Sequence, residues 1–159
     1  EEFARNAPAS SYVPYLRHLG PCTYVIKAFA SKELKARYLS AMSDATMRMA
    51  WAAVEPQAGV DVSMNLATAT AHEDGSYTIT GTKLVLDGFD ENTSFTHLLV
   101  LANAPVQTAG PDGEPIMAQK ATFFIVDRNA KGVRVEAAPA SYTAHRGTAK
   151  PAIAPRLVH

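Results

Sequence analysis

Up to about residue 44, apolar residues recur every three or four positions; beyond Asp44 they alternate or run together. The first pattern predicts helix and the second predicts strand. Residues 1–44 therefore read as helical. Gly20-Pro21 punctuates this region, with proline well placed for the first turn of a new helix. In "CTYVIKAFA", Tyr24, Val25, Ala28 and Phe29 fall at helical spacing. Ser31 suits the N-cap of a following helix, with Glu33 in its first turn at the positive end of the dipole. In "SKELKARYLSAM", Leu34, Tyr38, Ala41 and Met42 share one face, and Lys32, Lys35 and Arg37 lie mostly off it, as expected of an amphipathic helix on a core.

After Asp44, "MRMAWAAV" predicts a strand weakened by its alanines, and "MNLATATA" alternates with period two. "EDGS" is a tight-turn signal. "YTITGTKLVL" predicts two short strands around Gly81-Thr82, and "THLLVLANA" a strand of buried type. Residues 105–120 hold three prolines and two glycines and read as an exposed loop. "ATFFIVD" and "VRVEAA" are strands joined by the turn "RNAKG". The Ala- and Pro-rich stretch 138–155 has no clear pattern, and a last strand is expected at 156–159. Helices first and strands after predict an α+β fold. It would be a short helical segment, residues 1–44, followed by a mostly antiparallel β-barrel or sandwich, residues 45–159.

Composition narrows the function classes. With 15 basic and 15 acidic residues the formal net charge is zero, which lacks the basic footprint of a nucleic-acid binder. No apolar run approaches a membrane span, and no signal-peptide pattern is present. The single cysteine, Cys22, cannot form an internal disulfide and reads as a small buried hydrophobe near a helix start. A cytoplasmic setting, or a mitochondrial matrix in a eukaryote, is the expected location. Phosphate-loop, dinucleotide-binding, zinc-spacing and nucleophile-elbow motifs are all missing. His97 reads as a strand-edge residue, and Asp87, Asp90 and Glu91 as a solvated turn rather than a metal site. The start without Met and the ending "APRLVH" suggest a piece of a longer protein.

"WAAVEPQAGVDV", residues 51–62, is the stretch with the most chemical promise. A strand-like run ends in a loop that keeps Glu55, Pro56, Gly59 and Asp61 together. Such a loop is either a plain turn or a ligand-facing one in which glycine lets the backbone approach a bound group. Together with "SYTITGTKLVLDG" it resembles the middle β domain of the acyl-CoA dehydrogenases. There a strand leads into Thr-Glu-Pro-x-Ala-Gly-Ser-Asp, a hairpin with Gly-x-Lys follows, and then comes a strand bearing Trp-Ile-Thr. "FASKELKARYLSAM" resembles the helix closing that family's N-terminal helical domain, so residues 1–44 would be the remnant of that domain. "THLLVLAN" and "ATFFIVDRNAKGVRVE" resemble its later strands. The resemblance covers roughly residues 20–147, in order.

The resemblance implies a flavoenzyme of fatty-acid-metabolism type. It would carry out FAD-dependent α,β-dehydrogenation of an acyl-CoA thioester, in which a base removes the α-proton and flavin N5 accepts the β-hydride. It implies cofactor contacts at Trp51, Ala53, Val54, Gly59, Val60, Val85 and Asp87, and substrate contacts at Glu55 and Val60. Glu55, Pro56, Ala58, Gly59, Asp61, Gly81 and Lys83 match the family pattern. The expected flavin-bonding Thr and Ser are replaced by Val54 and Val60, and the expected Trp and Thr by Val85 and Asp87. FAD binding by these residues alone is thus expected to be weak or absent, with Trp51 as a possible substitute stacking partner. The family's general base lies in a C-terminal helical domain with no counterpart here, so no catalytic residue and no metal ligand is assigned. The residues left without that domain are expected to expose an apolar face and to self-associate or to pair with a homo- or hetero-oligomeric partner. The alternative is a degenerate, non-catalytic β domain serving as a structural or interaction module beside an active subunit.

Overall fold

The computed structural model describes residues 20–58, 61–85, 95–137 and 156–158. The assignments at Gly59, Val60, Asp87, Asp90 and Glu91, and the helical reading of residues 1–19, lie outside them.

Two helices come first, α1 (Pro21–Phe29) and α2 (Lys32–Ser43). Pro21 opens α1, where a missing N–H costs nothing. Ser31 caps α2, its hydroxyl accepting the Leu34 N–H. Tyr38 and Met42 of α2 are buried, as their spacing predicts, whereas Leu34 is 40% exposed. The face of α1 differs from the expected one. Cys22 and Ile26, four residues apart, are buried, while Tyr24 and Phe29 are 67% and 75% exposed. The tightest-packing positions on a short helix are its one-turn repeats, and large aromatics at its rim can point outward without breaking that stripe.

The strands are β1 (Met49–Ala52), β2 (Thr68–Ala71), β3 (Tyr77–Thr80), β4 (Lys83–Val85), β5 (His97–Ala109), β6 (Pro115–Asp127), β7 (Val135–Ala137) and β8 (Arg156–Val158). They form a curled, mixed sheet, a half-barrel, with a second small sheet of order β4-β8-β7. Strand β5 is the spine. Strand β6 pairs antiparallel along its whole length, while β1 and then β2 pair parallel on its other edge. The remaining pairings are antiparallel. The fold is α+β.

Alternation along the strands creates two apolar layers. Ala50, Ala52, Val85, Phe95, Leu98 and Val100 pack together on one face. Met49 and Leu99, on the opposite face, pack with Cys22, Ile26, Tyr38, Met42 and Met47 and so fasten the helices to the sheet. The Cys22 thiol donates to the Met49 carbonyl at 3.9 Å, across the same junction.

Residues 105–120 are not a loop. They are the distal half of the β5–β6 hairpin, and only 110–114 turn. The Asn103 N–H points away from β6, to the Ala67 carbonyl, and Pro105 has the same parity, so its missing N–H interrupts no bond to β6. Pro115 pairs with Ala109, again at an outward-facing position. Pro111 sits inside the turn closed by the Gly113 N–H to the Gly110 carbonyl, with Gly113 at φ 81°. A three-residue loop ending in a left-handed glycine is a standard hairpin closure.

Candidate functional site

The loop that follows β1 is anchored by one side chain. Glu55 is 1% exposed, and each of its carboxylate oxygens accepts two hydrogen bonds. Oε1 accepts from Lys83 Nζ at 2.7 Å and the Ala67 N–H at 2.9 Å. Oε2 accepts from the Leu66 N–H and Gln57 Nε2, both at 2.8 Å. Lys83 is 3% exposed and also donates to Asn65 Oδ1. Asn65 is buried too. Its Nδ2 donates to the Ala67 carbonyl, and its own carbonyl accepts from Asn103 Nδ2 at 2.7 Å. One ion pair thus ties together the end of β1, the segment 61–67, strand β4 and the spine β5.

Electrostatics favour a charged pair. Burial opposes ionisation of Glu55, but the bond from Lys83, the two backbone N–H groups and the Coulomb attraction outweigh it and hold the carboxyl below its usual range. Burial pushes the Lys83 ammonium down from its ordinary value, and the hydrogen bond and charge of Glu55 offset only part of that. The two partners thus respond unequally, because among the described residues Glu55 collects four donors and Lys83 two acceptors. A buried carboxylate saturated in this way acts as a strut. With both oxygens fully engaged, it has no lone pair left for abstracting a proton.

The close packing needs small residues. A Cβ at Gly81 would lie 2.6 Å from Ala67 Cβ and 3.0 Å from Ala67 Cα. Glycine at 81 lets β4 approach the very residue whose N–H the Glu55 carboxylate holds.

The expected cofactor positions divide between faces. Ala53 is buried, and Val54 is half-buried, with its carbonyl accepting the Leu84 N–H at 2.9 Å. Val85 is 1% exposed, inside the core with Ala50 and Ala52. Trp51 lies on the opposite face with Met49 and Leu99, its ring centroid 5.1 Å from that of Phe123. Trp51 and Val85 therefore do not share a surface, and the tryptophan is not placed to stand in for an indole at 85. Among the described residues no group of three or more His, Cys, Asp or Glu could hold a metal ion. Nor is any described helix long and apolar enough to cross a membrane.

Asn65, Gln57 and Asn103 were not legible as site residues. Lys83 was the available signal, a lone cation inside the apolar run "KLVL" that calls for a buried anion.

No protein-family model and no curated protein matches the sequence. Solved structures do. A Bacillus anthracis acyl-CoA dehydrogenase, solved with FAD, aligns over 84% of this chain and 19% of its own, with 22% identity and a TM-score of 0.58. Butyryl-CoA dehydrogenase from Megasphaera elsdenii aligns over 86% and 31%, with 21% identity and a TM-score of 0.59. The prolyl acyl carrier protein oxidase AnaB aligns over 91% and 34%, with 21% identity and a TM-score of 0.64. This chain has the acyl-CoA dehydrogenase middle-domain fold. It spans between a fifth and a third of the length of these proteins. Within that fold, the Glu55–Lys83 strut lies where the strand, loop and hairpin of the resemblance meet.

At two positions where the resemblance implies a flavin contact, Val54 supplies no hydroxyl and Val85 turns its side chain into the core.

Proposed function

We propose that these residues are the middle β domain of an acyl-CoA dehydrogenase-type flavoprotein. In the complete enzyme this domain would frame FAD and an acyl-CoA thioester for α,β-dehydrogenation. The observation that carries this reading is the strut. A buried Glu55–Lys83–Asn65 cluster, its carboxylate engaged at both oxygens, anchors the described start of the loop after β1, and a fixed backbone is what positions a cofactor at low entropic cost. These residues alone would not perform the reaction, since the strut carboxylate is fully engaged and no other described group is placed as a base. A second reading is favoured by the apolar side chains at 54 and 85. In it the domain keeps the scaffold, has lost the cofactor, and serves as a structural module beside an active subunit.

Restoring hydroxyls separates the two. In the first reading, Val54→Thr combined with Val60→Ser should tighten FAD binding by about tenfold or more, since two recovered hydrogen bonds are worth about 1 kcal/mol each. Unchanged affinity, measured by flavin fluorescence, would favour the structural module.

A further inference from the structure

The face of the sheet that carries Leu98 and Val100 borders a cavity of about 640 Å³. Its walls are largely apolar, formed by Ile79, Leu98, Val100, Phe124, Val126 and Val133. The size falls within the range of sites that enclose a small organic molecule. Two features decide what kind. Lys83, from the strut, lines the cavity. An ammonium carries three donors, and among the described residues Glu55 and Asn65 engage two. The charge of Lys83 is already balanced by Glu55 at 2.7 Å. An anion entering here would leave the buried group with a net negative charge, which is costly in a low-dielectric wall. A neutral oxygen acceptor would add a hydrogen bond and no charge. At the rim, Asp127 and Lys131 supply one charge of each sign, so the entrance favours neither cations nor anions.

We propose that this cavity is a binding site for a neutral, mostly apolar molecule bearing a carbonyl oxygen, with that oxygen accepting the third N–H of Lys83. The cavity shares Lys83 with the strut, but none of the described residues of the loop after β1 lines it, and the proposal does not depend on the assignment of that loop.

The test is a fluorescence titration of the unaltered chain with prodan, a neutral naphthyl ketone whose emission reports the polarity around its carbonyl. The expected result is saturable one-to-one binding with blue-shifted emission, and binding of the naphthalene carboxylate of the same body weaker by about tenfold or more. A Val133→Trp variant, which fills the cavity, should abolish the binding while retaining the unfolding transition. Added FAD should not displace the probe. Absence of saturable binding, equal or tighter binding of the carboxylate, displacement by FAD, or undiminished binding to a folded Val133→Trp variant would each overturn the proposal. If that variant does not fold, the comparison of ketone and carboxylate on the unaltered chain decides.

Discussion

Glu55 shows how a charged residue can matter more to a site by being unavailable than by reacting. Its oxygens are spent on Lys83, Gln57 and the N–H groups of Leu66 and Ala67, so its contribution is positional. Removing the charge should be severe. Glu55→Gln leaves Lys83 buried without its counter-ion, a change that costs about 3–5 kcal/mol in comparable pairs and should be visible in urea unfolding. The pH dependence follows from the same geometry. The folded-state pKa of Glu55 lies below 4.5, its unfolded reference. Its stabilisation is therefore complete above that reference and is lost as pH falls through the lower, folded value. Unfolding midpoints measured on acidification should show this loss in the natural chain and a flatter profile in Glu55→Gln. Equal slopes would show that the pair does not set the acid limit. The residue types of this cluster were legible in part. Glu55 and Lys83 stood out in the motif, but their mutual pairing did not, because 28 positions separate them and only the fold closes that gap. Asn65 and Asn103 carry no pattern of their own, since a single asparagine beside a strand usually means a turn.

At the scale of elements, close approach governs the site. Strand β4 reaches the strut because Gly81 has no side chain where Ala67 passes. Gly81→Ala should therefore destabilise the fold by about 1–3 kcal/mol through overpacking, because Ala67 is held by the carboxylate and cannot retreat. Thermal unfolding measures this directly, and a neutral effect would mean that the two segments are free to separate. Helix starts, the hairpin around Gly75 and the two short strands around Gly81-Thr82 were legible, since caps, turn glycines and alternation are local signals. The long β5–β6 hairpin was not. Pro105, Pro111 and Pro115 read as a loop because composition does not reveal parity. Each lies where the ladder needs no N–H, which only the register shows. Spacing alone did not reveal the inward face of α1, where Cys22 and Ile26 are buried while the larger Tyr24 and Phe29 point outward.

For the molecule as a whole, apolar surface is unevenly distributed. Tyr24 and Phe29 on α1, and Met64 and Leu66 beside the strut, are each more than half exposed, at 67%, 75%, 61% and 65%. If these faces are contact surfaces for neighbouring domains, as the proposed function requires, the chain alone should associate in a concentration-dependent way. Sedimentation velocity over a hundredfold concentration range should show a rising weight-average mass, and a constant monomer would contradict that reading. The proposed function makes this chain a scaffold for the loop after β1, with Val54 and Val85 at positions where the resemblance implies a flavin contact. It is tested most directly by titrating the unaltered chain with FAD, following flavin absorbance and the fluorescence of Trp51, the only tryptophan in the sequence. The expected result is a colourless protein that binds added FAD weakly or not at all, with an unperturbed flavin spectrum. Stoichiometric binding at micromolar FAD, with a shifted spectrum, would contradict it.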